Sequence, residues 1–595
     1  MVHPGLPGGD AGELASAACA GGLAHPPGYP LHGVLLRLAQ ALPIGDVFVR
    51  FNLTSALGVA AAVGLLVDVV RRWTSSVTAG LFAGALLLAA PLTWLYATTV
   101  EVFGLHLGLV ALSGWAFTRA RQGPTPAWGR VLGLAGGLAV THHPTALFVV
   151  APLLALEWRR WRWWAPGLVV GATPLLLLPV FSATDTPYSW GDARSVEGFL
   201  TQVLRREYGT FRLASRDDGG GSAAAFLVEF LRFEWEQAAL LPVVGALLAV
   251  GPAWRASRPV TVAVATMLAL ALGLFGALAN LPLDDALFRE VVRRFFLMPH
   301  LVLSAVAAWG AWTLLGRFPA GLVAGAAALV VSGGLRRPAH PNVLEDWGLA
   351  LLRHPADALV LVQGDLVSGV TRALLACRGA GTGLRVIDQQ QLTWEWYVAR
   401  LRHALPDVRF PGAKWHPREP GAFTLAAFLE ANAGRPIILC GGLKAGDPVP
   451  GRLVPAGHCE RLLAPGAPFD DEAWWAASPV PAPIVGTFPA GSWEAIAQRD
   501  AFDARARRGL FALEQAIARN NDRRWLDRAA TVLREAVTED PTPAPATWKN
   551  LGITEGRLGQ TEAMRQAFAR YLAQAPADDP DVPRVRALLA APDAR

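Results

Sequence analysis

Asp10 and Glu13 stand three residues apart in the stretch GGDAGELASAACAGGLAHPPGYPLHGVLLRLAQALP, so on a helix their carboxylates share one face. Paired acids just outside a membrane are suited to taking the proton of an attacking hydroxyl. The plainer alternative is helix capping by Asp10, with Glu13 in the first turn favoured by the dipole. A second set is cationic: Arg50 at the outer end of an apolar span, and Arg289, Arg293 and Arg294 in the segment 280–294. The arginine fork matches phosphate oxygens; contact with lipid headgroups is the alternative. Glu101 opens an apolar half-helix and His106 follows about a turn later. An ionisable group there faces a cavity or a partner, unless it is a hydrogen-bonded structural acid. His142 and His143 are adjacent, so their rings point apart on a helix, and no CxxC or HExxH spacing accompanies them. They read as polar groups at an outer turn, able to touch substrate, and no metal site is expected. Gly364-Asp365 follows an apolar run and offers either a carboxylate at a strand's carboxyl end or a helix cap, without a glycine-rich phosphate fingerprint. Cys440 and Cys459 could pair in an oxidising compartment, a choice that spacing leaves open.

These groups need a membrane scaffold. Of 595 residues, 53% are hydrophobic and 17% charged, against about 25% charged in ordinary soluble domains. That excludes disorder, a coiled coil and a purely soluble enzyme. The 22 tryptophans suit membrane interfaces, and four cysteines are too few for a disulfide scaffold. Only Lys414, Lys444 and Lys549 are lysines. With abundant Ala, Gly and Pro, this composition points to a GC-rich bacterium and its inner membrane. Nearly all the positive charge is arginine, the net charge of +6 is not by itself a nucleic-acid signal, and no nucleic-acid partner is expected.

About ten spans are expected, at 51–70, 78–95, 99–118, 128–141, 144–156, 165–181, 226–250, 259–279, 295–315 and 318–334. Counting 128–156 as a short hairpin puts Arg71, Arg72, Arg119, Arg121, Arg130, Arg159, Arg160, Arg162, Arg255, Arg258 and Arg317 on one face, the cytoplasmic one. The turns near Thr98 and His142 lack arginine, while Arg336 and Arg337 break the pattern. Residues 1–50, the loops 182–225 and 280–294, and everything after 335 then lie outside. Residues 1–20 have no basic segment followed by a continuous apolar one. An outer first loop needs a helix ahead of it, so an upstream helix, with a later start here, is expected.

After 340 the apolar runs shorten. Leu359–Val362, Leu384–Ile387 and Ile437–Leu439 read as strands, alternating with helices near 366–378, 394–404 and 422–432. The organisation expected is a first loop at 1–50 and a transmembrane helical domain at 51–335. An α/β domain at 340–465, a linker at 466–499 and helical repeats at 500–595 follow. In that tail Trp548, Leu551, Gly552, Gly559, Phe568 and Pro576 fall at tetratricopeptide spacing. Ala529, Leu533, Ala536 and Pro541 match the second helix of a preceding repeat, whereas Glu555, Met564 and Tyr571 depart from the usual choices. A plain helical cap is the alternative.

HPPGYPL at His25–Leu31, after Asp10-Ala11-Gly12-Glu13 and before RFNLTSAL at Arg50–Leu57, resembles the opening of the protein O-mannosyl-transferase-like membrane family of the transmembrane-protein-260 type. That family is placed among the GT-C glycosyltransferases. TWLYATTVEVFGLHL around Glu101, GLAVTHHPTALFVVAP around His142, SWGDARSVEGFLTQVLRREYG at 189–209 and RRFFLMPHL at 293–301 extend the resemblance, as do Gln363-Gly364-Asp365 and Trp396-Tyr397. It covers roughly residues 8–465, and its opening motif is the specific part.

The resemblance implies a GT-C-like α-helical polytopic membrane protein with an extracytoplasmic α/β domain and tetratricopeptide-like repeats. It implies transfer of a hexose, mannose by the family's name, from a polyprenyl-phosphate sugar to Ser or Thr of exported proteins. Asp10 matches the family's catalytic acid and Glu13 its companion. His25, Tyr29, Arg50, Glu101, His142, His143, Arg289, Arg293 and Arg294 are the substrate-binding candidates. No cofactor is required beyond the donor. Partners are membrane lipids, the carrier-linked sugar, the protein acceptor and a possible protein held by the repeats. The alternatives are a related transferase acting on lipid or polysaccharide, a transporter or flippase, and a non-catalytic anchor presenting the repeats. The transporter reading would want internal repeats and broken helices at the midplane.

Overall fold

The computed structural model describes residues 2–210, 222–279, 282–316, 318–337, 341–443, 449–576 and 578–590. Parts of both expected outer loops, at 211–221 and 280–281, lie outside these, as do Arg317 and Lys444. The chain opens with two short helices, α1 (Ala11–Cys19) and α2 (Pro30–Gln40), separated by HPPGYP. There Gly28 has φ 95°, and a Cβ on it would sit 2.6 Å from Leu178. Only glycine combines that backbone with that approach.

The helix α3 (Val47–Thr74) starts where Asp46 accepts the Phe48 N–H at 2.8 Å, and ends in Arg71 and Arg72, both paired with Asp68. Basic groups there suit the negative end of the helix. The expected straight span at 78–95 is instead α4 (Val77–Ala89) and α5 (Pro91–Thr98), bent by 80°. Ala90 precedes a proline and takes an extended backbone, which ends the helix. The expected span at 226–250 is likewise two helices, Ala223–Ala238 and Leu241–Ala256, at 108°. Ala239 and Leu240 have positive φ at that corner, just ahead of Pro242.

Among the described residues four helical stretches are long and apolar enough to cross a bilayer: Val47–Thr74, Trp158–Ser182, Arg258–Leu278 and Ala286–Leu315. Each bent pair taken as one crossing raises the number to six, and Pro144–Leu156 and Pro319–Leu335 are apolar but shorter. The helices α6 (Val102–Gln122) and α7 (Pro126–His142), both among the ten expected spans, belong to neither group. His143 has an extended backbone before Pro144, so 128–156 is broken rather than one long helix.

Residues 359–463 carry a five-stranded sheet: β1 (Leu359–Val362), β2 (Arg385–Asp388), β3 (Ile437–Cys440), β4 (Arg452–Ala456) and β5 (Cys459–Leu463). Its order is β2-β1-β3-β5-β4, with β1 parallel to β2 and β3 and the remaining pairs antiparallel. The parallel strands are short apolar runs buried on both faces at β1 and β3. The helix Asp365–Arg378 leaves β1 and lies against α1. A Cβ on Gly12 would meet the backbone of Gly369 at 2.4 Å, so the two helices touch backbone to backbone.

A disulfide joins Cys19 to Cys377 across 358 residues, and another joins Cys440 to Cys459. The first links the opening loop to the helix that follows β1. It lay outside the pairing considered from spacing, because nothing local relates its two ends.

The helices Trp493–Ala518, Arg523–Glu539, Pro545–Arg557 and Thr561–Gln574 pack in succession behind the sheet. The segment expected to be a linker up to 499 therefore turns helical at Trp493, where Ser492 accepts the Ala495 N–H.

Candidate active site

The opening loop is fixed from three sides. Asn52, in RFNLTSAL, donates to the carbonyls of His3 and Gly5 and accepts the Val100 N–H at 2.7 Å. The Ser55 hydroxyl bonds the backbone of Glu101, its oxygen accepting the N–H at 3.2 Å. Glu101 in turn accepts the Asp10 N–H at 3.2 Å. The loop, the outer end of α3 and the start of α6 thus form one hydrogen-bonded corner. Trp493 closes it, packing over Gly8 and Gly9.

Asp10 occupies the N-cap position of α1, yet its side chain makes no capping bond. Its Oδ2 instead accepts from Arg294 Nη1 at 2.8 Å, and the side chain keeps 33% of its exposure. Among the described residues no donor reaches Oδ1. Glu13 is used differently. Its Oε1 accepts the His25 N–H at 2.6 Å and its Oε2 meets the His25 ring at 2.7 Å, with 14% exposure left. Two carboxylates on one helical turn therefore have two roles: Glu13 locks the proline-rich turn onto α1, and Asp10 faces a cavity.

The charges follow. Burial alone would raise the Asp10 pKa, but Arg294 first, then His25 and Arg205, hold it below the ordinary carboxylate value. Burial opposes protonation of His25, and the Glu13 carboxylate outweighs it, so the imidazole titrates above its ordinary value.

The cavity above Asp10 measures about 640 Å³ and joins three parts of the chain. One wall is apolar, with Phe103, Phe288, Val291 and Phe295 around Arg294. The opposite wall comes from the sheet: Asp365 after β1, then Asp388, Gln391 and Trp394 at and after β2. The third comes from the outer loop, as Trp190, Arg205, Glu207 and Tyr208. Arg205 has no acid partner among the described residues, and its buried Nε is unbonded.

Of the residues singled out in the sequence, Asp10, Glu13, His25, Tyr29, His143 and Arg294 line this cavity. Tyr29 stacks near His143, ring centroids 6.1 Å apart. Glu101 lies behind, under the Asp10 backbone, with Oε2 buried and unbonded. His142 is buried against the Val102 carbonyl at 2.9 Å, and His106 contacts Thr145. The other arginines point elsewhere. Arg50 caps α2, donating to the Gln40 and Leu42 carbonyls. Arg293 pairs with Glu229, Glu236 and Glu290. Arg289 is not among the lining groups. Asp365 opens a helix without capping it, and its carboxylate faces the cavity.

Arg205, Glu207, Tyr208, Trp190, Asp388, Trp394 and Trp493 had not been singled out. Trp190, Arg205, Glu207 and Tyr208 lie within the segment 189–209 that carried part of the resemblance, and the charged and aromatic run Arg205–Tyr208 was the signal within it.

Residues 10–164 match the family model described as the protein O-mannosyl-transferase TMEM260 N-terminal domain. The chain is similar to the mouse protein O-mannosyl-transferase TMEM260, 30% identical over 565 residues that cover 86% of this chain and 79% of that one. A Dictyostelium discoideum protein O-mannosyl-transferase tmem260 is 27% identical over 511 residues, 75% of this chain and 62% of its own length. Among solved structures, ArnT from Cupriavidus metallidurans bound to undecaprenyl phosphate aligns at TM-score 0.47 and 14% identity, over 74% of this chain and 90% of that one. The apo form aligns at TM-score 0.39 and 17% identity, over 75% and 83%.

Proposed function

We propose a function from one premise: the chain belongs to the protein O-mannosyl-transferase TMEM260 family and is a membrane glycosyltransferase. From that premise we propose that it transfers a hexose, mannose by the name of its relatives, from a polyprenyl-phosphate carrier to Ser or Thr hydroxyls of exported proteins. The observation that carries this reading is the Asp10–Arg294 pair at the mouth between the membrane helices and the sheet. An ionised carboxylate with one free oxygen stands beside a guanidinium in a cavity that is apolar on one side and polar on the other.

The reaction is one displacement. The acceptor O–H gives its proton to Asp10 as its oxygen forms a bond to the anomeric carbon. The bond from that carbon to the phosphate oxygen breaks, and its electron pair leaves with the carrier phosphate. Arg294 and Arg205 meet the charge that develops there. The apolar wall of Phe103, Phe288, Val291 and Phe295 accommodates the first carrier units. Such a displacement inverts the anomeric configuration. Both disulfides support placing this cavity outside the cytoplasm, where thiols are not kept reduced.

Membranes containing the protein, given undecaprenyl-phosphate mannose labelled in the sugar and unmodified secreted proteins, test the reading. Alkali-labile label on Ser or Thr, with anomeric configuration opposite to the donor's, is expected. Label on lipid or polysaccharide alone would replace the acceptor. No transfer from any carrier-linked hexose would remove the reading.

A further inference from the structure

The sheet turns its ligand-binding edge toward the reaction centre. In open sheets with parallel strands, ligands settle beyond the carboxyl ends of the strands, next to the point where the connections change direction. Here β1 connects to β2 on one side, and the chain then crosses to β3 on the other side of β1. Residues at and just past the carboxyl ends of β1 and β2, Asp365, Asp388, Gln390, Gln391, Thr393 and Trp394, line the cavity. A domain merely tethered outside the membrane would have no reason to face inward by this edge.

The groups there are sorted between structure and ligand. Asp388 is internally satisfied: its Oδ2 accepts the Ser368 hydroxyl, and its Oδ1 accepts the N–H of Gln390 at 2.8 Å and of Gln391 at 3.2 Å. These bonds fold the segment after β2 into a tight turn. Gln391 is 2% exposed and lines the cavity, yet its Oε1 is buried with no hydrogen-bond partner. Asp365 is exposed, lines the cavity, and has no hydrogen bond or ion pair to its carboxylate among the described residues. Gln391 Oε1 is thus a buried acceptor left unpaired, and Asp365, exposed to the cavity, adds a carboxylate without a partner among the described residues; together they suit a ligand rich in donors.

Flat apolar faces flank them. Trp190 and Trp394 have ring centroids 5.1 Å apart, and Trp190 stacks on Tyr208 at 6.2 Å with planes 21° apart. Glu207 holds the indoles by accepting Trp190 Nε1–H at 2.9 Å and Trp396 Nε1–H at 3.0 Å. This fixes the outer loop against the sheet and presents the aromatic surface without further ordering. Amide and carboxylate acceptors beside held indole faces match a pyranose, which carries hydroxyl donors around its rim and C–H groups on its faces.

We propose that Asp365, Gln391 and the Trp190–Trp394 surface form the subsite for the hexose of the donor, so that the α/β domain selects the sugar while the membrane helices hold the carrier. This rests on the proposed transfer from a carrier-linked hexose. The carrier phosphate stays at Arg294 and Arg205, the anomeric carbon faces Asp10, and the hydroxyls far from it bond Asp365 and Gln391.

The test uses the full chain in nanodiscs, with Asp365→Asn, Gln391→Leu and Trp394→Phe beside wild type and thermal melting as the check on folding. Binding of undecaprenyl phosphate without sugar, donor KM with undecaprenyl-phosphate mannose and with the glucosyl equivalent, and acceptor KM are measured. A rise of about tenfold or more in mannosyl-donor KM for Asp365→Asn and Gln391→Leu is expected, together with loss of preference between the two sugars. Bare-carrier binding and acceptor KM should stay within about twofold, because neither residue contacts phosphate or acceptor in this reading. Trp394→Phe keeps a flat face and should change donor KM less than either. Unchanged donor KM and sugar preference overturns the subsite. So does a rise in acceptor KM alone, which would give this wall to the acceptor, or an equal loss of bare-carrier binding. If wild type binds bare carrier but transfers no hexose, the transfer reading falls and takes the subsite with it; that outcome is told apart because it needs no variant.

Discussion

The cavity and the helical tail are both rich in charge, and they treat it in opposite ways. In the tail the charges close on one another. Arg505, only 7% exposed, meets Glu535 and Glu539; Arg499 meets Asp540; Arg534 holds both oxygens of the buried Glu555. Around the cavity Arg205 has no acid partner among the described residues, Asp365 has none either, and Glu101 Oε2 and Gln391 Oε1 are buried and unbonded. The tail too has buried unbonded atoms, among them Nε of Arg505, Arg507 and Arg508, so what sets the cavity apart is charge without a counter-charge, at Arg205 and Asp365. The two acids of α1 repeat the contrast within one turn: Glu13 is taken up by His25, and Asp10 keeps an oxygen free.

Variants can break this contrast in either direction. Arg205→Ala removes a cation that has no acid partner among the described residues and lies over the Tyr208 ring at 5.4 Å, so kcat/KM for the carrier-linked sugar should fall by about 10²–10³ with little change in melting. A stability loss without a donor effect would make Arg205 structural. Replacing Cys19 and Cys377 by Ser releases α1 from the helix after β1. It should cost roughly 2–4 kcal/mol in thermal or denaturant unfolding, with activity surviving at low temperature because Gly12 still packs on Gly369. Arg534→Ala should cost roughly 1–3 kcal/mol by stranding Glu555, which is 1% exposed, and leave transfer unchanged. A transfer defect there would give the tail a part in the reaction.

The smallest effect is a pH slope. Asp365 releases its proton at about 6 in the folded chain, against the ordinary 3.8. The folded state therefore binds more protons between those values, and stability falls as pH rises through that window. Asp365→Asn should flatten this slope in melting measurements between pH 4 and pH 6.

How much of this was legible in the sequence follows from how local each feature is. The spacing of Asp10 and Glu13, the His25–Tyr29 turn, and an arginine cluster on the unexpected face pointed to five groups that meet in the cavity, Asp10, Glu13, His25, Tyr29 and Arg294. Within that cluster nothing local separates Arg294 from Arg293; one helical step sends the first to Asp10 and the second to Glu229. Arg50 has the right type and place for a phosphate, but the end of α2 offers it two carbonyls first. The wall made by Trp190, Arg205, Asp388 and Trp394 depends on how the outer loop docks on the sheet, through Arg400 and the carbonyls of Ser182 and Ser189 and through Arg372 and that of Tyr188. No spacing encodes such a contact. The strand runs were visible because a short apolar segment between turn residues is itself local, and β1 spans the residues read from it. The bends after Ala89 and Ala238 had a local sign as well, in Pro91 and Pro242, which hydropathy alone overrode.

The account stands on the difference between the two acids of α1. Transfer from labelled undecaprenyl-phosphate mannose should be measured for Asp10→Asn and Glu13→Gln side by side, with melting recorded for both. The account predicts that Asp10→Asn lowers kcat by about 10²–10⁴ in a chain that folds as wild type does. Glu13→Gln should lose less, and in step with its loss of stability. Transfer retained by Asp10→Asn, or abolished by Glu13→Gln in a chain that still folds, would contradict it.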